Sequence, residues 1–279
     1  SETCALDIVG AKFIREVDNG EIVIVENEKM TSIKPFPIQK QRPCIFEYIY
    51  FARPDSLIKN KCAYEYRKKM GHELAKESNL EADLIVPVPD SGVPAAIGFA
   101  EKSKKPFDLG LIRNHYVGRT FIEPTQNIRS LGVKLKLSPT KTIVKNKKII
   151  LIDDSIVRGT TCSKIIKMLY ESGAQEVHVR IACPEIKYPD FYGVDMPSSE
   201  ELLANNKNNA EMCEHIRAKS LKFLSLDGLY NALIGEKRDQ SYPQFSDHYF
   251  TGKYPIEPQD KIKGIQIRQL SLLSGKSTN

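Results

Sequence analysis

A chain of 279 residues with a formal charge of +6 and 41% apolar residues has the composition of a globular protein. It is long enough for one large α/β domain with extra pieces or for two small domains. The modest charge, the absence of tryptophan and the lack of basic-aromatic interleaving speak against a nucleic-acid surface, and a small anionic substrate accounts for them equally well. Six cysteines without a CxxC pair, no signal peptide and no apolar run of membrane-spanning length lead to the expectation of reduced thiols, a cytoplasmic setting and no membrane partner.

In chain order, Ser1 to Met30 reads as a short helical opening, a turn at Asp18-Asn19-Gly20 and an alternating strand from Glu21 to Val25. Lys34 to Pro43 holds three prolines and reads as an extended linker. CIFEYIYFARPDS (Cys44 to Ser56) predicts an edge strand followed by an Arg-Pro-Asp turn. A helix over Lys61 to Ser78 leads to a core strand from Leu84 to Val88, and then to a sharp turn at Pro89-Asp90-Ser91-Gly92. Gly92 there allows close backbone approach, and Pro94 suits an early helical position.

Arg113 to Leu137 is polar, basic and longer than a routine connection, the pattern of a functional lid. The sharpest signal follows in IILIDDSIVRGTT (Ile149 to Thr161). Four apolar β-formers predict a buried parallel strand ending at Asp153 and Asp154, and the helical spacing of Ile165, Ile166, Met168 and Leu169 predicts a helix over Ser163 to Glu171. Between them, the free N–H groups of Arg158 to Thr161 and the positive helix end make a phosphate-sized site, with the hydroxyls of Ser155, Thr160 and Thr161 as further donors. Two carboxylates beside it fit sugar hydroxyls or Mg2+. Taken alone, either loop could be a surface turn. Two such loops at the ends of two apolar strands point instead to a ligand at the carboxyl edge of a parallel sheet. Beyond them the pattern predicts a strand over Glu176 to Ala182, a capping box at Ser198 to Glu201 opening a helix through Leu203, a second helical piece over Ala210 to Ala218, a strand over Leu221 to Leu224 and a helix over Leu226 to Ile234.

IILIDDSIVRGTT resembles the phosphoribosyl pyrophosphate (PRPP) loop of type I phosphoribosyltransferases, and DDSIVRGTT in particular is similar to that of the amidophosphoribosyltransferase family. CIFEYIYFARPDS, the PDSG turn, YVGRTFI and FTGKYPIE (Phe250 to Glu257) match the same family. The resemblance implies an α/β, type I phosphoribosyltransferase fold, a mainly parallel twisted sheet flanked by helices. Residues 1–43 would be the end of a glutaminase domain and a linker, 44–260 the transferase domain and 261–279 a tail. Cys4 is internal and cannot supply the free α-amino group the glutaminase nucleophile needs, so the chain is expected to be a fragment or processed product without that active site.

For function, the resemblance implies transfer of glutamine-derived ammonia to C1 of PRPP with release of pyrophosphate, in de novo purine biosynthesis. Asp153, Asp154, Arg113 and Tyr116 would be catalytic. Asp90, Ser91, Gly92, Asp153, Asp154, Ser155, Ile156, Val157, Arg158, Gly159, Thr160 and Thr161 would bind PRPP. Arg113, His115, Tyr116 and Arg119 would belong to the mobile lid, with arginine at position 113 where the family usually has lysine. Ser91, Asp153 and Asp154 would hold Mg2+. One branch of the family carries an iron-sulfur cluster on four cysteines. Here only Cys44 matches a ligand position and Asp190 stands at another, so no cluster is expected. Ammonia from a glutaminase domain, purine nucleotides as feedback inhibitors and a homo-oligomer are the implied partners. A purine salvage phosphoribosyltransferase and a PRPP-sensing regulator without turnover are the competing readings; the latter lacks a helix-turn-helix pattern.

Overall fold

The computed structural model describes residues 2–78, 80–114, 116, 136–256 and 258. The chain opens with helix α1 (Thr3–Ile8) and a hairpin of β1 (Ile22–Glu26) and β2 (Lys29–Ile33), which pair antiparallel with each other. The second strand of that hairpin was not expected from the sequence. Cys4 is buried here and accepts a hydrogen bond from the Ser56 hydroxyl at 3.0 Å, tying α1 to the segment that follows.

The segment expected to be an edge strand is helical instead, a π-helical turn over Glu47–Phe51. Ile45, Phe46, Tyr48, Ile49 and Ala52 are buried while Glu47, Tyr50 and Phe51 are exposed. That spacing of three and four residues is one face of a helix, and a strand would have exposed every second residue. β3 (Leu57–Ile58) and β4 (Lys61–Cys62) form a small hairpin before α2 (Ala63–Glu77). Buried Arg67 of α2 donates to the carbonyl oxygens of Tyr48 at 3.1 Å and Ala52 at 2.6 Å, satisfying acceptors at the end of the helical turn.

The core then assembles from β5 (Leu84–Pro87), α3 (Val93–Ser103), the paired short strands β6 (Leu111–Arg113) and β7 (Leu137–Pro139), α4 (Lys141–Val144), β8 (Lys148–Asp153), α5 (Thr160–Glu171) and β9 (Glu176–Ile181). It closes with α6 (Leu203–Asn206), α7 (Asn209–Ile216), β10 (Ser220–Phe223), α8 (Leu226–Ile234) and α9 (His248–Thr251). The sheet is all parallel, in the order β10-β9-β8-β5. Ile149, Ile150, Leu151 and Ile152 are each 0% exposed. Side chains alternate across a strand, so helices must cover both faces.

The capping box expected at Ser198 is absent: Ser199–Glu201 form a single 3-10 turn and the Ser198 side chain caps nothing. The capping box lies at Asn208 and Glu211, where it opens α7. Ser-x-x-Glu in sequence was insufficient because Leu202 returns to an extended conformation and stops the turn.

Past β5 the chain runs outward. Ile85 bridges to Phe107 in parallel, extending the sheet beyond β5, while β8 lies on the other side of β5. The direction of winding therefore reverses between β5 and β8, and an open α/β sheet presents its crevice at that reversal.

Candidate active site

Register brings the two loops together. β5 and β8 pair Leu84 with Ile149 through to Pro87 with Ile152, so both strands end at the same level. Val88 N–H then donates to Ile152 O at 2.8 Å, and Gly92 N–H returns to Val88 O at 2.9 Å. A Cβ on Gly92 would stand 2.5 Å from Ile152 O and 3.2 Å from Asp153 Cα. Only glycine lets the 88–92 turn lie this close to the acidic pair. Among the described residues, the N–H groups of Asp90 and Ser91 donate to no protein acceptor. They remain open to a ligand.

The second loop is built on the same logic. Gly159 precedes α5 with φ of +75°, a left-handed conformation that glycine adopts without strain, and a Cβ there would also meet Leu203 Cδ2 at 2.7 Å. Ile156 is buried in the core, and Val157 O accepts from Leu203 N–H at 2.9 Å. These anchors hold the loop from below. The N–H groups of Ile156 to Thr161 donate to no acceptor among the described residues, and they converge with the N-terminus of a twelve-residue helix. Such a cradle favours a phosphate. Arg158 pairs with Glu201 at 3.1 Å on the open surface, a weak interaction that leaves the guanidinium free to change partners.

Asp153 and Asp154 stand between the loops at the end of β8. Asp154 N–H donates to Asp153 Oδ1 at 3.0 Å, and Ser155 Oγ donates to Asp154 Oδ2 at 2.7 Å. Asp154 is buried, whereas Asp153 keeps part of its surface open. Even so, enclosure of the Asp153 carboxyl, reinforced by the adjacent Asp154 charge, pushes its pKa well above the usual carboxylate range. Neither aspartate has an ion-pair partner among the described residues. Two adjacent carboxylates of this kind call for a cation or for hydroxyl donors. Hard oxygen donors suit Mg2+, which commonly takes one or two carboxylates and completes its shell with water and substrate oxygens.

Arg113, at the end of β6, forms an ion pair with Asp90 in the first loop. The Tyr116 side chain is fully exposed and packs against neither loop; among the described residues its N–H donates to Asn114 Oδ1 at 3.0 Å. His115 and Arg119 lie outside the described residues, as do most of the expected lid and the 261–279 tail. Cys44 is half-buried with its thiol 3.3 Å from the Tyr249 hydroxyl. Asp190 accepts from His248 Nε2 at 2.7 Å and from the Tyr192 and Val194 N–H groups, as an ordinary satisfied carboxylate. Leu203 and Glu201 were missed from sequence as supports of the second loop. They sit beyond β9 in the chain, and no local pattern ties them to residues 157–159.

A phosphoribosyl transferase domain model matches residues 64–192, a span holding both loops and the acidic pair. The amidophosphoribosyltransferase of Rhizobium etli is 55% identical over 98% of this chain, covering 56% of that relative, and the Bacillus subtilis enzyme is 49% identical over 92% of this chain, covering 54% of its own length. Over nearly its whole length the chain is thus similar to amidophosphoribosyltransferases. Its fold agrees: the solved glutamine PRPP amidotransferase of Bacillus subtilis, in complex with ADP and GMP, superposes with a TM-score of 0.83 at 48% identity, over 91% of this chain and 56% of that one. The chain spans about half the length of the curated relatives it matches. No helix among the described residues is long and apolar enough to cross a membrane.

Proposed function

We propose that this chain carries the PRPP-binding half of an amidophosphoribosyltransferase, in which ammonia attacks C1 of the ribose and pyrophosphate leaves. The observation that carries the reading is the register of β5 against β8, which sets the open N–H groups of the 88–92 turn beside Asp153 while the 155–161 cradle opens from the same strand. A ligand with phosphate groups at both ends of a ribose matches that spacing of donors, carboxylates and donors.

In this reading Ser155 to Thr161 anchor the 5-phosphate and so orient C1. Asp153 and Asp154 hold the ribose 2- and 3-hydroxyls and stabilise the positive charge that develops on the ring. Asp90, Ser91 and Gly92 receive the pyrophosphate through backbone donors, and Arg113 supplies a positive charge to it. Mg2+ held by Ser91, Asp153 and Asp154 would neutralise charge on the leaving pyrophosphate. Free ammonia is already a nucleophile, so no side chain is needed to deprotonate it. Purine nucleotides as feedback inhibitors, assembly into a homo-oligomer, a cytoplasmic location and ammonia supplied by a glutaminase domain complete the proposal. The domain limits 1–43, 44–260 and 261–279 belong to it too. The close similarity to amidophosphoribosyltransferases favours this over a salvage transferase or a PRPP sensor.

Replacing Asp153 and Asp154 by asparagine tests the assignment. Ammonia-dependent release of pyrophosphate from PRPP should fall by about 10²-fold or more, the scale for losing a group that stabilises developing charge. Circular dichroism should stay unchanged. Full activity in the double variant would remove both residues from the mechanism, and a base-dependent release of pyrophosphate would instead indicate salvage chemistry.

A further inference from the structure

Asp90 in the first loop and Arg113 at the end of β6 form an ion pair beside the open donors of the 88–92 turn. The Arg113 guanidinium is committed to the Asp90 carboxylate through NH1, while its own Nε is buried with no acceptor among the described residues. Both tips are accessible, at 36% exposure for Arg113 and 57% for Asp90. Their roots are fixed. Arg113 ends a strand paired with β7, and the next residue donates from Asn114 N–H to Lys136 O at 2.8 Å. Asp90 is held by the Val93 N–H, which donates to its carbonyl at 3.3 Å, and by the turn that Gly92 closes.

A carboxylate at the tip of a turn whose backbone donors are open is an obstacle to an arriving diphosphate, because like charges repel. It is also the reason the nearby guanidinium is held in place before the ligand arrives. The pair is exposed, and such pairs contribute little net stability, so exchanging one anionic partner for another is easy. A diphosphate offers the same cation several charges in place of one.

Building on the PRPP reading above, we propose that the Asp90 carboxylate competes with the diphosphate for Arg113, holding the guanidinium in the absence of ligand and surrendering it when the diphosphate binds. The Asp90 N–H remains a ligand donor. Its side chain is a competitor for Arg113, and the resting contact sets how strongly PRPP is bound.

The test is a double-mutant cycle on the full 279-residue chain, with Mg2+ and PRPP titrated calorimetrically at low salt. Asp90→Asn should bind PRPP about three- to fivefold more tightly, the range of an exposed ion pair lost from the free protein. Arg113→Ala should bind more weakly. In the Arg113→Ala background the gain from Asp90→Asn should shrink, because no guanidinium is left to release. High salt should compress the gain from Asp90→Asn in wild-type background. Equal tightening in both backgrounds would show that Asp90 acts only by repulsion and would overturn the proposal, as would weaker binding by Asp90→Asn. If Arg113→Ala fails to fold, Arg113→Gln takes its place in the cycle. A wild-type chain that binds no PRPP would overturn the functional reading itself, a separate outcome from a wild type that binds while the cycle shows no coupling.

Discussion

Gly92 and Gly159 place two phosphate-sized loops around one acidic pair, and they do so for different reasons. Gly159 is required by its backbone, with φ of +75°. Gly92 has an ordinary φ of −76° and is required by space alone. Its missing side chain is what allows Ile152 O, Val88 O and Asp153 Cα to crowd the turn at 2.5, 2.9 and 3.2 Å from the position a Cβ would take. All three contacts are backbone, which cannot rotate aside as a side chain would. Gly92→Ala should therefore lose about 1–3 kcal/mol of stability, the usual cost of overfilling a packed site. It should also move the turn off Asp153. A displacement of about 1 Å in a positioning element can cost about 10²-fold in turnover, so activity should fall further than stability predicts. Urea unfolding and pyrophosphate release, measured on one preparation, separate the two effects; an alanine variant with wild-type turnover would mean that the close approach is unimportant.

The same economy of space operates between helices. α2 and α3 meet at Gly71 and Gly98, where an added Cβ would sit 1.9 Å from Ala95 O and 1.9 Å from Lys68 O respectively. α3 begins directly after the 88–92 turn, so the position of that turn depends on how deeply α3 beds against α2. Either Gly71→Ala or Gly98→Ala should lower stability by about 3 kcal/mol, the upper end for overpacking, and should weaken PRPP binding without touching a ligand. A midpoint of urea unfolding equal to wild type would contradict such close packing. These glycines were invisible in sequence, because a glycine in a helical run looks the same whether it faces solvent or another backbone. The elements themselves were legible wherever one local rule dominated. Ile149 to Ile152, buried on both faces, read correctly as a parallel strand, and Leu226–Ile234 matched its expected span. CIFEYIYF failed because aromatic and β-branched residues favour strands locally, while packing against α2 through Arg67 and Tyr66 selects a helical turn. Of the candidate site, the two loops and the acidic pair could be read directly. The Asp90–Arg113 contact and the Leu203 brace could not, since both depend on how distant strands register.

Across the whole molecule, two clusters of buried polar groups lie outside the loops, and each contains a histidine. His178 on β9 is bonded to Ser220 Oγ at 2.9 Å and Glu176 at 3.0 Å, with Arg180 close by. His248 lies between Ser246 Oγ at 3.1 Å and Asp190 at 2.7 Å, and rests against the rings of Tyr249 and Tyr254. Burial lowers the pKa of both imidazoles, and the neighbouring carboxylates Glu176 and Asp190 only partly oppose it. The folded chain therefore keeps these histidines neutral where the unfolded chain already binds a proton. Below about pH 6.5, the ordinary histidine value, the unfolded state holds more protons, so stability should fall with pH until the lowered folded-state values are passed. Asp190 acts in the same direction at lower pH. Burial raises its carboxyl, but the Val194 and Tyr192 N–H groups together with His248 hold it below the usual range, and that contribution disappears as pH drops through its folded value. The unfolding midpoint should thus decline between about pH 7 and pH 5, where histidine titration dominates. A His178→Gln/His248→Gln double variant should show a shallower decline over that interval even if it starts from a lower midpoint. A slope as steep as wild type would assign the acid sensitivity elsewhere, with the Asp153 carboxyl excluded as its source: its raised pKa makes protonation favour the folded chain and so stabilises it as pH falls.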